Sequence, residues 1–115
     1  MAWKNMDVAP VNEGVQTHFA YEASETLTAA GNGTSFIIPD EVYRVAVTVS
    51  FTGGAQGLVQ ATTSTVASVK AATAVWVNWP SGTVSATTQN VCDPVTAVRS
   101  VQSAPGTMKI EIRGQ

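Results

Sequence analysis

The chain has 115 residues, of which 12% are charged, and a formal net charge of −2; at this length one domain with one ordinary core is expected. No basic footprint of the kind phosphate neutralisation requires is present, which excludes nucleic acid as an expected partner, and no apolar run approaches the roughly 20 residues of a membrane span. Seventeen valines and fifteen threonines against two leucines point away from helix and toward pleated, half-buried surfaces, while the single cysteine, Cys92, excludes an intrachain disulfide.

Residues 1–14 mix polar residues, Met1, Met6 and Pro10 without a period, which predicts an extended arm that needs a surface to lie on. The beginning of the chain, with Asn5 and Asp7 and no apolar run, does not read as a signal peptide. A first strand is expected over Val15–Tyr21, where Val15, Thr17, Phe19 and Tyr21 alternate with Gln16, His18 and Ala20, and a second over Glu25–Ala30. Gly31-Asn32-Gly33 carries the residues of a tight hairpin loop, from which Thr34–Pro39 would run back. The same stretch matches a glycosylation sequon at Asn32, a match better explained as a turn.

Glu41–Phe51 is the clearest strand, with Tyr43, Val45, Val47, Val49 and Phe51 on one face and Arg44, Thr48 and Ser50 on the other. A loop over Thr52–Gly57 closes it, and Leu58–Val69 reads as one or two more strands with no helical period. If Ala74–Trp79 is a regular strand, Val75, Val77 and Trp79 share a core face while Trp76 and Asn78 point outward. Trp79-Pro80-Ser81-Gly82 then has proline and glycine at the second and fourth positions of a type I turn. Pro94–Val101 is a further strand; behind a Ser103–Gly106 turn, Met108, Ile110 and Ile112 alternate inward with Lys109, Glu111 and Arg113. About eight strands with regular turn signals predict an all-β fold, an antiparallel sandwich, jelly roll or small barrel, with residues 15–115 as the single domain behind the arm.

Groups that could do chemistry are few. His18 has no second histidine or cysteine at metal-ligand spacing, and no flanking motif supports a Cys92–His18 nucleophile and base. Asp40-Glu41 lacks the further oxygen ligands calcium needs, and Gly53-Gly54 lies in a loop without the lysine and helix of a phosphate-binding loop. No catalytic, metal or cofactor site is expected.

The run AVWVNWPSGTVSATTQ (Ala74–Gln89), with PVTAVRSV (Pro94–Val101) and the closing GTMKIEIRGQ, resembles the small β-rich decoration or cement proteins of tailed bacteriophages over Thr34–Gln115. The resemblance implies a non-enzymatic homo-oligomer, a dimer or trimer, on the outer surface of the virion head, stapling neighbouring major capsid protein subunits. The expected contact residues are Trp3, Met6 and Val8 of the arm, Asp40 and Glu41, Gly53 and Gly54, and an exposed Trp76. A carbohydrate- or receptor-binding module of a tail or fibre, stacking sugars on Trp3, Tyr21 or Trp76, is the alternative.

Overall fold

The computed structural model describes residues 3–8, 20–92 and 95–115. Two β-sheets pack face to face as a sandwich, with no closed barrel. The first holds β1 (Trp3–Asn5), β4 (Gly31–Asn32), β5 (Ser35–Ile37), β7 (Gln56–Thr62), β8 (Val77–Asn78) and β10 (Ala97–Ala104). Its order is β1-β5-β10-β7-β8, with β4 also on β10; β1 runs parallel to β5 and the other pairs are antiparallel. The second, wholly antiparallel, is ordered β2-β3-β11-β6-β9, from β2 (Asp7–Val8), β3 (Tyr21–Leu27), β6 (Val45–Thr52), β9 (Thr88–Cys92) and β11 (Thr107–Gly114).

Alternation in β6 and β11 builds the second sheet's half of the core. Val45, Val47 and Val49 are almost fully buried, as are Met108, Ile110 and Ile112, and the register sets Val47 beside Ile112 and Val49 beside Ile110. Phe36, Val59, Ala61, Val98 and Trp79 complete the core. Each large aliphatic side chain hidden this way contributes about 1.5–3 kcal/mol of transfer free energy.

Two corners carry the chain from sheet to sheet at one end. Gly53 and Gly54 turn β6 into β7, and Pro105-Gly106 turns β10 into β11. The corners interlock at Gly106, φ +133°, where a Cβ would stand 2.7 Å from both the Thr52 carbonyl oxygen and the Ala55 nitrogen. Buried Gln102 fastens the second corner, its Nε2 donating to the carbonyls of Ala104 and Gly106, each at 2.9 Å.

Several sequence expectations are corrected. Gly31–Gly33 is not a hairpin loop: β3 and β5 lie in different sheets, Asn32 pairs with Val101, and the Gly33 N–H donates to the Ser100 carbonyl at 2.7 Å. Glu25 secures this crossover, since its carboxylate accepts from the Thr34 N–H (2.8 Å) and the Thr34 hydroxyl. The second expected strand, Glu25–Ala30, is instead Tyr21–Leu27, while the first, Val15–Tyr21, falls almost wholly within residues 9–19, which with His18 lie outside the described residues. Tyr43 is 84% exposed because β6 begins only at Val45; both the Tyr43 and Arg44 N–H groups donate to the Gln115 carbonyl.

Within Leu58–Val69 the second half is a short helix, α1 (Val66–Lys70), capped by Thr65, whose hydroxyl accepts from the Ser68 N–H at 3.2 Å. The described part of the arm does not project. Residues 3–8 form edge strands of both sheets, and Met6 between them is 6% exposed, inside the core.

Candidate functional site

The outer face of the first sheet carries a ladder of polar and aromatic groups across strands distant in sequence. Register places Arg99 of β10 opposite Gln60 of β7, and Gln60 opposite Asn78 of β8. Side chains follow the backbone: Arg99 Nε donates to Gln60 Oε1 at 2.8 Å, and Gln60 Nε2 donates to Asn78 Oδ1 at 2.9 Å. The Arg99 guanidinium carbon lies 4.3 Å from the centroid of the Trp76 ring, within the range of a cation–π contact. Burial holds the Arg99 pKa below its ordinary value.

α1 sets the position of Trp76. Its Val69 packs with Ile37 of β5 and Ala97 of β10, on the outer side of the first sheet, and Ala74 and Trp76 close over this small cluster. This second layer explains why Ser35, Phe36 and Ile37 are all buried although they alternate between faces. Trp76 is therefore half-buried over its own domain, a correction to the exposed outward ring expected from alternation. The strand expected over Ala74–Trp79 is only Val77–Asn78, and Val75 and Val77 are exposed at 72% and 64%. Beyond Asn78 the chain turns inward: the Trp79 N–H donates to the Val59 carbonyl and Trp79 enters the core, as expected. The Pro80-Ser81 turn closes with the Gly82 N–H donating to the Trp79 carbonyl at 2.9 Å.

A second cation–aromatic pair flanks the helix on its other side, where Lys70 Nζ lies 4.3 Å from the centroid of the Trp3 ring. Each of these tryptophans thus has a cation against its ring. The remaining expected contact residues do not gather with them. Asp40 and Glu41 precede β6 and Gly53-Gly54 follow it, so the strand's length separates these exposed pairs. Met6 is buried and Val8, 56% exposed, sits on the edge of the second sheet.

The opposite outer face, on β3, β11, β6 and β9, is a shallow groove of about 510 Å³ lined by residues including Lys4, Glu22, Thr48, Gln89, Glu111 and Arg113. Charges of both signs line it, and both ion pairs among the described residues belong here: Lys4–Asp7 at 3.6 Å and Lys109–Glu111 at 3.9 Å. All four side chains are exposed, so these pairs contribute little to stability. Among the described residues no three histidine, cysteine or acidic side chains meet as a metal site. Cys92 is half-buried against the core on β9.

Sequence reasoning singled out Trp76 but missed Arg99, Gln60 and Asn78. The signal available was weak: Arg99 and Gln60 each occupy a polar position flanked by residues that alternate inward, Val98 and Ser100, Val59 and Ala61. Only strand order brings the three side chains together.

No protein family matches the sequence, and no curated protein matches it. Among solved structures, the chain is similar to one described under "Bacillus endospore appendages form a novel family of disulfide-linked pili", with 13% identity, 95% of this chain and 97% of that one covered, and a TM-score of 0.47. It is also similar to the Aeromonas hydrophila PliG, a periplasmic lysozyme inhibitor of g-type lysozyme, with 12% identity, 99% and 100% covered, and a TM-score of 0.40. Neither likeness is close enough to bear on function.

Proposed function

We propose that the protein is a non-enzymatic structural component that decorates and stabilises a bacteriophage head from the outside by binding major capsid protein subunits. The sequence resemblance over Thr34–Gln115 leads to this reading, and an edge strand of the second sheet supports it. Among the described residues β9 pairs with β6 on one side and has no neighbouring strand on the other. Its sequence, Thr-Gln-Asn-Val-Cys, has none of the charge or proline that usually blunts an exposed edge, and Val91 is 55% exposed. Such an edge can add to a neighbouring chain through backbone hydrogen bonds.

Because residues 3–8 are folded into the protein's own sheets, the proposed contact is placed at this edge and not along residues 3–8. Repetition on a lattice makes individually weak contacts sufficient, the more so if the protein binds as a small homo-oligomer.

The test is occupancy on purified heads, measured by imaging with wild-type protein and with a Gln89→Lys, Val91→Lys double variant. Wild-type protein is expected to fill regular positions, and the variant to need at least tenfold more protein to do so. Equal occupancy by the variant would move the contact away from β9. Absence of wild-type protein from the heads would remove the head-binding reading.

A further inference from the structure

We propose that Arg99 is a docking point for a carboxylate carried by a partner protein, an Asp or Glu side chain received edge-on by the two terminal nitrogens of the guanidinium. The inference goes beyond head binding and stands without it, since it concerns the chemistry of one face and not the identity of the partner.

Two contacts hold the guanidinium before a partner arrives. The Trp76 ring lies against it, with the cation carbon 4.3 Å from the ring centroid. The Nε bond to Gln60 Oε1 holds it to β7, and Gln60 is itself anchored by Asn78. Arginine has five N–H donors in a rigid fork. Nε uses one, leaving four on the terminal nitrogens, and no carboxylate among the described residues forms an ion pair with them.

Arg99 is half-buried, and no counter-ion for it is present among the described residues, so a partner's carboxylate would meet a positioned and unneutralised cation. The neighbouring cation on this face, Lys70, is likewise over a ring and takes no part in either ion pair. The face therefore offers positive charge in a protein whose net charge is −2. Charge complementarity selects an acidic partner. A carboxylate can lie in the plane of the guanidinium, making two parallel N–H···O bonds to the terminal nitrogens. Inorganic phosphate can fit the same fork but brings no neighbouring chain or second carboxylate to add further contacts.

The full chain, labelled with ¹⁵N, is titrated with blocked hexaglutamate, with blocked hexaglutamine and with inorganic phosphate, while the Arg99 Nε–H and Trp76 indole N–H resonances are followed. Hexaglutamate is expected to shift both resonances saturably; hexaglutamine is expected to leave them in place, and phosphate to bind at least tenfold more weakly. Arg99→Lys keeps the charge and loses the fork, and should weaken hexaglutamate binding at least tenfold. Lys109→Gln, on the opposite sheet, should change it less than twofold. Gln60→Glu supplies an internal carboxylate to Arg99 and should abolish the response while the amide spectrum remains that of the folded protein. Absence of a saturable shift at Arg99, equal binding of phosphate, or retention of binding by Arg99→Lys would each overturn the proposal.

Discussion

Gly57 lies directly beneath Met108: a Cβ at position 57 would stand 2.5 Å from the methionine sulfur and 2.6 Å from the Val101 carbonyl oxygen. Gly57 is on β7 and Met108 on β11, so this contact sets how closely the two sheets approach. The same glycine exchanges two backbone hydrogen bonds with Val84, which brings the loop after the Pro80 turn onto β7. Gly57→Ala is expected to lower unfolding free energy by about 2–3 kcal/mol through overpacking, read as a lower urea midpoint at unchanged slope.

Tyr21 and Glu41 couple the protein to pH. The Tyr21 hydroxyl donates to the Glu41 carboxylate, which lowers the Glu41 pKa and raises that of Tyr21. For the glutamate, a folded pKa below the unfolded one means stability that is present above the carboxylate range and is lost as pH falls through it. For the tyrosine, a raised folded pKa means stability that is present below its ordinary value of 10.0 and is lost as pH rises through the folded pKa. Tyr21→Phe should therefore lower the melting temperature slightly at neutral pH. The difference from wild type should shrink toward pH 3 and again above pH 10 (about one unit around each transition).

Met6 should behave as a core residue although it lies six positions into a polar segment. Met6→Ala is expected to cost about 2–3 kcal/mol, and removal of residues 1–8 more, because the edges of β5 and β3 would also lose their partners. Denaturant unfolding checks both. A deletion variant as stable as wild type would show that β1 and β2 are dispensable.

Ala72 follows α1 with φ at +63°, a conformation that a side chain disfavours. Ala72→Gly is expected to raise stability by about 0.5 kcal/mol, the relief of the left-handed strain exceeding glycine's larger chain entropy. A small upward shift in melting temperature is the measurement.

Alternation along β6 and β11 was legible in the sequence because each strand has one buried face, and so was the burial of Trp79. Tyr43 fits the same alternation and is exposed, because a pattern cannot show where hydrogen bonding to a neighbour begins. α1 escaped notice for a related reason: five residues are too few to display a helical period among threonines and valines. Its presence changes the meaning of Trp76, which covers α1 and β10 rather than pointing at solvent. The Arg99–Gln60–Asn78 ladder joins residues separated by 39 and 18 positions, and only the order of strands in the sheet creates it.

The interlocked corners at Gly106 belong to a wider habit of this chain, which changes sheet on seven of the ten links between successive strands among the described residues. Neither sheet is a contiguous stretch of sequence, so neither can form while the other waits. Folding is expected to be slow for the protein's size, on the millisecond-to-second scale, and to pass through one concerted step. Tension applied along the chain would meet both layers at once, so the molecule should yield by rupture of the whole sandwich and not by peeling one strand after another.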